Sequence, residues 1–84
     1  LVSRVLAHDN FAREVHDIAA DLALRSSPRS LRVMKRQLYD AQFGSLAEAY
    51  DQALAEMLES FGSEDFREGV AHWQEKREPA FTGK

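Results

Sequence analysis

The stretch that decides the fold is residues 44–61, GSLAEAYDQALAEMLESF. Gly44 ends one helical pattern, and Ser45 and Glu48 have the spacing of a capping box, in which each side chain satisfies a free backbone amide at a helix start. Apolar residues then recur every three or four positions, as on one face of an α-helix; they are Leu46, Tyr50, Ala53, Leu54, Met57, Leu58 and Phe61. The stretch predicts a helix over about 45–61 whose apolar face is wide enough to pack on more than one neighbour.

Capping signals predict a helix on either side of this stretch. Ser27-Pro28 supplies an N-cap serine and a proline at the first helical position, where its missing N–H costs nothing. This pair predicts a helix over about 28–43. Beyond the central stretch, Ser63 is the predicted N-cap of a last helix over about 63–77, which Pro79 is expected to prevent from continuing.

The N-terminal part of the chain carries a fourth helix and a short extended segment. Apolar residues at helical spacing predict a helix over about 9–26, with Asp9 or Asn10 as its N-cap. Residues 1–6, LVSRVL, alternate apolar and polar and predict a strand with no partner strand elsewhere in the sequence. The expected fold class is all-α: about four helices after this orphan strand, in a single helical domain over residues 1–84. Because the strand lacks a partner and the chain does not begin with methionine, we expect it to be cut from a longer parent chain.

Composition and length exclude several classes of protein. The chain has 84 residues, no cysteine and a formal net charge of −3. The absence of thiols rules out disulfides, thiolate zinc sites and a cysteine nucleophile, and it suits a reducing cytoplasm. An acidic chain is a poor general binder of nucleic acid, and no apolar run approaches the roughly 20 residues of a membrane helix. We expect a soluble cytoplasmic protein without nucleic-acid or membrane partners.

Two charged clusters are candidate sites. A basic stripe along the second helix could hold a phosphorylated ligand, although a solvated helix face is the more ordinary interpretation; it comprises Arg29, Arg32, Lys35 and Arg36, with Arg25 just before the helix. On the last helix, Glu68, His72 and Glu75 share a face. A metal site in a helix bundle would need matching Glu and His residues on other helices, and none occur, so no metal site is predicted.

Trp73 and Lys76 form the candidate binding site. They are three residues apart on the predicted last helix, so a flat aromatic surface and a mobile cation are expected side by side. Such a pair suits a ligand whose base is stacked and whose phosphate is neutralised. The alternative is that Trp73 continues the apolar stripe of Phe66 and Val70 and belongs to the core.

The last nineteen residues, FREGVAHWQEKREPAFTGK (66–84), carry a family resemblance. Their Glu-Gly, aromatic, Glu-Lys-Arg and Pro-x-Phe elements resemble the C-terminal end of the enoyl-CoA hydratase/isomerase (crotonase) family. The resemblance extends along the chain. Residues 1–5 resemble a strand of that family, residues 19–28 resemble its Ala-x-x-small-x-x-Pro approach, and Lys35 stands where the family commonly has a lysine.

The resemblance implies an assembly and a ligand. In such enzymes this segment is the helical C-terminal region, which packs subunits into trimers, often paired as hexamers, and helps to cover the nucleotide of CoA. Trp73 stands at an aromatic position of the family and Lys76 is the lysine of Glu-Lys-Arg. Both would therefore approach the adenine and phosphate end of CoA. Met57 stands where some relatives use a phenylalanine for the same region.

The resemblance also implies the chemistry of a parent enzyme. The family reaction resembles the addition of water to a 2-enoyl-CoA in fatty-acid metabolism, with acyl-CoA as substrate and no covalently bound cofactor. Its oxyanion-forming amides and two catalytic glutamates belong to an N-terminal core. No catalytic residue is predicted in this chain, because its helix glutamates match no catalytic motif; they are Glu48, Glu56, Glu59, Glu68 and Glu75. The chain alone is expected to be inactive.

Other interpretations stay open at this point. Relatives of such enzymes include isomerases, dehalogenases, hydrolases and decarboxylases, and the tail does not choose among these reactions. The chain could instead be a free-standing helical module that binds another protein. It could also be a truncated family member that binds CoA or a homologous subunit without catalysis, which nucleotide affinity without turnover would reveal.

Overall fold

Four α-helices joined by short turns make up the computed structural model, which describes all of residues 1–84. The helices are α1 (Phe11–Arg25), α2 (Pro28–Asp40), α3 (Leu46–Ser60) and α4 (Glu64–Glu75), and a 3₁₀ turn at His8–Asn10 precedes α1. The predicted all-α fold class with four helices is confirmed.

Serine caps begin three of the four helices, as predicted. The hydroxyls of Ser27 and Ser63 each accept a hydrogen bond from the amide three residues further on, both at 3.1 Å. Ser45 and Glu48 complete the capping box: the Ser45 amide donates to the Glu48 carboxylate at 2.8 Å, and the Glu48 amide donates to the Ser45 hydroxyl at 3.2 Å. The hydrogen bond from the Ser45 amide, followed by that from the Ser45 hydroxyl, holds the pKa of the Glu48 carboxylate below its ordinary value. Because each cap satisfies an otherwise free amide, the starts of α2, α3 and α4 are defined locally.

The N-terminal prediction is wrong in two respects. Residues 1–7 contain no strand, because strand pairing needs a second strand and the chain has none. The helix α1 begins at Phe11 and not at residue 9, and neither of the two predicted side chains caps it. Asp9 lies inside the 3₁₀ turn, and Asn10 has ψ 7° rather than the extended conformation of a capping residue, so its side chain makes no capping bond.

Two helices end earlier than predicted. α2 stops at Asp40 instead of residue 43. Beyond Asp40, the amides of Gln42 and Phe43 donate to the carbonyls three residues before them, at 3.2 and 3.0 Å. These tighter bonds make a turn and not a further α-helical turn. α4 stops at Glu75 instead of residue 77, because Lys76 has the left-handed backbone φ 52°, ψ 42°. Pro79 is therefore not what ends α4.

The helices form a thin, open layer without an apolar core. The molecule measures 47 × 36 × 16 Å, so it is little thicker than one helix with its side chains, about 10–12 Å across. Its radius of gyration is 16.2 Å, against about 12 Å for a compact domain of this length. No hydrophobic residue is buried, and the exposed ones include Phe43 and Leu46, each close to nine-tenths exposed. The apolar faces predicted from the sequence exist, but nothing in the chain covers them.

Polar contacts join the helices of the layer. The most extensive helix pair is α2 with α3. Arg36 of α2 forms an ion pair with Glu56 of α3. A hydrogen bond of 3.2 Å from Gln52 of α3 to Asp40, the last residue of α2, also joins these two helices.

None of the helices is both long and apolar enough to cross a membrane.

Candidate functional site

Trp73 lies in the last turn of α4 with most of its indole open to solvent. Its exposed fraction is 79%, one of the larger values among the apolar side chains of the chain. The chain does not bury Trp73, but it buries no other hydrophobic residue either, so the alternative interpretation of Trp73 as a core residue stays open. The other apolar residues of α4 are covered more fully. Phe66 packs edge-on against Phe61 with ring centroids 5.3 Å apart.

Lys76 stands immediately beyond α4 in a strained position. It is the only non-glycine residue of the chain with a positive φ. For an L-residue with a side chain this conformation costs about 1 kcal/mol or more, because Cβ crowds the following carbonyl. The Lys76 amide still donates to the His72 carbonyl, and the Arg77 amide donates to the same oxygen at 3.2 Å. These two bonds satisfy a carbonyl that a helix end would otherwise leave free.

The left-handed backbone at Lys76 changes the predicted position of this residue relative to Trp73. Side chains three residues apart are neighbours only while both residues are helical. Lys76 is outside the helix, so the pair does not share one helical face. The structure places both residues at the same end of α4, and their role in binding stays a prediction.

Arg77 holds the segment after α4 against the helix. Its guanidinium forms a two-point ion pair with Glu68, in which Nη2 lies 2.9 Å from Oε2, and its Nε donates to Glu75 at 2.5 Å. The Glu68 carboxylate also accepts the Ala80 amide at 2.7 Å. The Arg77 hydrogen bond, followed by that from Ala80, lowers the pKa of Glu68 to about 2. Hydrogen bonds to Glu68 and Glu75 raise the pKa of Arg77, so Glu68 and Arg77 are both ionised at neutral pH.

No acidic partner neutralises Lys76. The nearby carboxylates of Glu68 and Glu75 are bound by Arg77, and Glu78 is bound by Arg25 at 3.0 Å. Lys76 itself is exposed, and its ammonium makes no hydrogen bond or ion pair within the chain. The same end of α4 therefore presents an unpaired cation and an exposed indole.

The basic stripe of α2 is neither a simple solvated face nor a free anion site. Three of its four members and the preceding Arg25 are engaged inside the chain. Arg29 is 8% exposed and donates to Ser60 at 2.6 Å. Arg32 donates to the carbonyl of Gly83 at 3.2 Å, and Arg36 and Arg25 form the ion pairs already described. Only Lys35 has no partner, so the stripe serves mainly to join α2 to α3 and to the C-terminal residues.

Asp65 is the most buried residue of the chain, with 3% of its surface exposed. One carboxylate oxygen accepts from the Ser27 hydroxyl at 2.6 Å and from the Arg29 amide at 3.4 Å. The other accepts from the amides of Thr82 and Gly83, at 2.9 and 3.0 Å. Burial acts to raise the pKa of Asp65, but these hydrogen bonds outweigh it, and the pKa lies below its ordinary value. Asp65 therefore joins three separate parts of the chain.

Glu68, His72 and Glu75 do not form a metal site. Arg77 occupies both carboxylates, and Nδ1 of His72 lies 3.2 Å from the carbonyl oxygen of Arg77. No group of three or more metal-ligating side chains occurs anywhere in the chain. A hollow of about 680 Å³ lies between residues 4–7 and α1, away from the end of α4. Neither Trp73 nor Lys76 lines it.

Sequence reasoning missed the roles of Asp65 and Arg77. It assigned Asp65 no role in joining parts of the chain, because the partners of this residue lie 17 to 38 residues away in sequence. It placed Arg77 only within a motif, and the arginine reaches Glu68 because the chain reverses at Lys76. No local pattern signals a left-handed lysine, so the sequence held no usable sign of this contact.

Comparison with known proteins gives a consistent result. The whole chain, residues 1–84, matches the enoyl-CoA hydratase/isomerase family. Among solved structures, the chain is similar to a probable enoyl-CoA hydratase/isomerase from Mycobacterium abscessus, with 31% identity and a TM-score of 0.87. The match covers 100% of this chain and 34% of that one, so the chain spans about a third of the length of that relative. No match was found among curated proteins.

Proposed function

The chain belongs to the enoyl-CoA hydratase/isomerase family, and we propose that it is the helical portion of an acyl-CoA enzyme, where it provides subunit contacts and part of the acyl-CoA site. The observation that carries this proposal is the open layer. A chain with no buried hydrophobic residue has its apolar faces available for other surfaces. Exposed apolar patches larger than a few hundred Å² commonly mark interaction sites.

The reaction we propose for the enzyme as a whole is hydration of a 2-enoyl-CoA in fatty-acid metabolism. The five helix glutamates considered from the sequence are not proposed to take part in it, because each of these five is engaged elsewhere. Glu48 belongs to a capping box, Glu56 and Glu59 pair with arginines of α2, and Glu68 and Glu75 pair with Arg77. A carboxylate that already accepts an arginine is a weak general base, since the arginine stabilises its ionised form.

Subunit assembly is the first proposed contribution. Trimers or hexamers would cover the exposed faces of α1 and α3. The accessible surface of the chain is 7118 Å², about 2,000 Å² more than a compact folded chain of this mass exposes. That excess on one chain is more than twice the roughly 800 Å² that each partner buries in a standard protein–protein interface. The cytoplasm is the compartment that we infer for such an enzyme, because the chain has no cysteine.

Contact with the nucleotide of CoA is the second proposed contribution. The exposed indole of Trp73 would stack on adenine, and the unpaired ammonium of Lys76 would neutralise the 3′-phosphate. A partly solvated lysine–phosphate contact contributes on the order of 1 kcal/mol, or about fivefold in affinity. The binding effect is therefore expected to be modest.

A fluorescence titration tests the nucleotide contact, because Trp73 is the only tryptophan. CoA and 3′-dephospho-CoA are titrated into the protein while the emission of Trp73 is followed. We expect both ligands to quench the emission and CoA to bind about fivefold more tightly. Lys76→Ala should remove this preference, whereas the matched variant Lys35→Ala should keep it. Equal affinities in the wild-type protein would refute the role of Lys76.

The alternative is a helical protein-interaction module without catalysis. The open apolar faces favour it as much as they favour an enzyme subunit, since either would be covered by a partner. The same titration separates the two. A module that never bound CoA would show no saturable quenching with either nucleotide, and affinity without turnover would identify a family member that binds CoA but does not react.

A further inference from the structure

The left-handed backbone at Lys76 carries an inference about how the lysine is presented. We infer that Glu68 and Arg77 are positioning residues, which hold Lys76 outside the helix and keep its ammonium free for a phosphomonoester. The inference rests on the proposed function and adds to it the group of residues on which that contact depends. None of these positioning residues needs to touch the ligand.

The first argument is that a lysine is an unfavourable residue for this backbone. Glycine adopts a positive φ without steric cost and is the usual residue just beyond a helix. Lys76 stands there instead, and its ammonium makes no hydrogen bond or ion pair inside the chain that would offset the strain. Strained backbone of this kind persists where surrounding structure over-determines it, and it is common at ligand contacts.

The second argument is that the residues on both sides of Lys76 are tied down. Before Lys76, the carboxylate of Glu75 accepts a hydrogen bond from Nε of Arg77. After it, Arg77 is bound to Glu68 by its side chain, and to His72 by its amide. The carbonyl oxygen of Arg77 lies 3.2 Å from Nδ1 of His72, and the amide of Ala80 donates to the Glu68 carboxylate at 2.7 Å. With so many bonds spanning one residue, the conformation of Lys76 is imposed by its neighbours.

The third argument is electrostatic. Three carboxylates surround the end of α4, and arginines occupy all of them: Arg77 binds Glu68 and Glu75, and Arg25 binds Glu78. Without Arg77, the carboxylates of Glu68 and Glu75 would be unpaired and open to pairing with a lysine that directly follows Glu75 in sequence. Arg77 thus removes these two carboxylates as internal partners for the lysine. A compact, strongly hydrated ammonium on a flexible stem then remains to meet a doubly charged terminal phosphate.

The test compares Glu68→Gln with Lys76→Ala by the ratio of affinities for CoA and 3′-dephospho-CoA, read from Trp73 fluorescence. Glu68→Gln keeps the size of the side chain but removes the charge that binds Arg77. We expect it to lower the ratio from about fivefold to below twofold, while the affinity for 3′-dephospho-CoA changes by less than twofold. Glu64→Gln is the matched control, because Glu64 bonds to Thr82 on the same C-terminal segment without contacting Arg77. It should leave the ratio unchanged.

The outcomes separate this inference from the proposed function. If Lys76→Ala abolishes the preference for CoA and Glu68→Gln preserves it, the lysine binds phosphate but the positioning role is overturned. If Lys76→Ala leaves the preference intact, the assignment of Lys76 itself fails. A fall in the ratio for Glu64→Gln equal to that for Glu68→Gln would show a general structural effect and would also overturn the inference.

A second variant keeps the inference testable if Glu68→Gln fails to fold. Lys76→Gly removes both the ammonium and the strain. We expect it to raise Tm by on the order of 4 °C while it abolishes the preference for CoA, since glycine tolerates a positive φ. A Tm that is unchanged or lower would show that the lysine is not held at an energetic cost, and would overturn the argument from strain.

Discussion

The two buried residues of this chain are both charged, and at the scale of single residues they explain how the layer is held together. Arg29 joins the start of α2 to the end of α3 through Ser60, and Asp65 joins the start of α4 to Ser27 and to the last residues of the chain. Buried charges are tolerated only when they are paired or hydrogen-bonded, and both are. No buried polar side-chain atom of the chain lacks a partner.

Asp65→Asn is therefore expected to destabilise the protein by about 1–3 kcal/mol. An amide cannot accept all the bonds that the carboxylate accepts, and its NH₂ group faces donors from Ser27 or from Thr82 and Gly83. The free energy of unfolding, measured with urea, checks this. Asp51→Asn is the control, because Asp51 is an exposed aspartate with no hydrogen bond or ion pair.

The pH dependence of the same variant adds a second readout. The folded pKa of Asp65 lies below the value of a free aspartate, so the unfolded chain binds more protons between the two values. The stabilisation is present above the unfolded pKa, about 4, and is lost as the pH falls through the folded pKa. Asp65→Asn should reduce this loss on acidification, and an acid profile identical to that of the wild-type protein would contradict the role of Asp65.

At the scale of elements, the starts of α2, α3 and α4 could be predicted from the sequence, but the ends of α2 and α4 could not. Ser27, Ser45 and Ser63 act on amides three residues away, so their effect is written in the local sequence. The end of α4 depends on Arg77 returning to Glu68, nine residues before it. The predicted strand at residues 1–6 is wrong for a related reason, because alternation indicates an extended segment but pairing requires a partner.

The capping box of α3 provides the prediction at this scale. Ser45→Ala removes the hydroxyl that accepts the Glu48 amide, and should lower the free energy of unfolding by about 1 kcal/mol. Ser3→Ala serves as the control, because Ser3 precedes the first helical turn and makes no hydrogen bond. Urea unfolding followed by circular dichroism gives both values. A loss for Ser45→Ala no greater than that for Ser3→Ala would contradict the contribution of the box.

At the scale of the whole molecule, the sequence predicted that a partner surface is needed but not how open the layer is. Periodicity identified the apolar face of α3 correctly, yet it does not state what covers that face. In the structure Leu46, Tyr50 and Leu58 of α3 remain more than half exposed. The candidate site shows the same limit: Trp73 and Lys76 were identified by residue type, whereas the left-handed backbone that presents Lys76 depends on contacts outside any local pattern.

The central claim is that this layer is completed by association with other surfaces. Sedimentation velocity over a range of protein concentrations tests it most directly, because it reports mass without requiring a ligand. The account predicts species larger than one chain, with a monomer fraction that falls as concentration rises, since about 2,000 Å² of surface beyond that of a compact fold is left exposed. A single sharp monomer boundary at every concentration, from a protein that unfolds cooperatively, would contradict it.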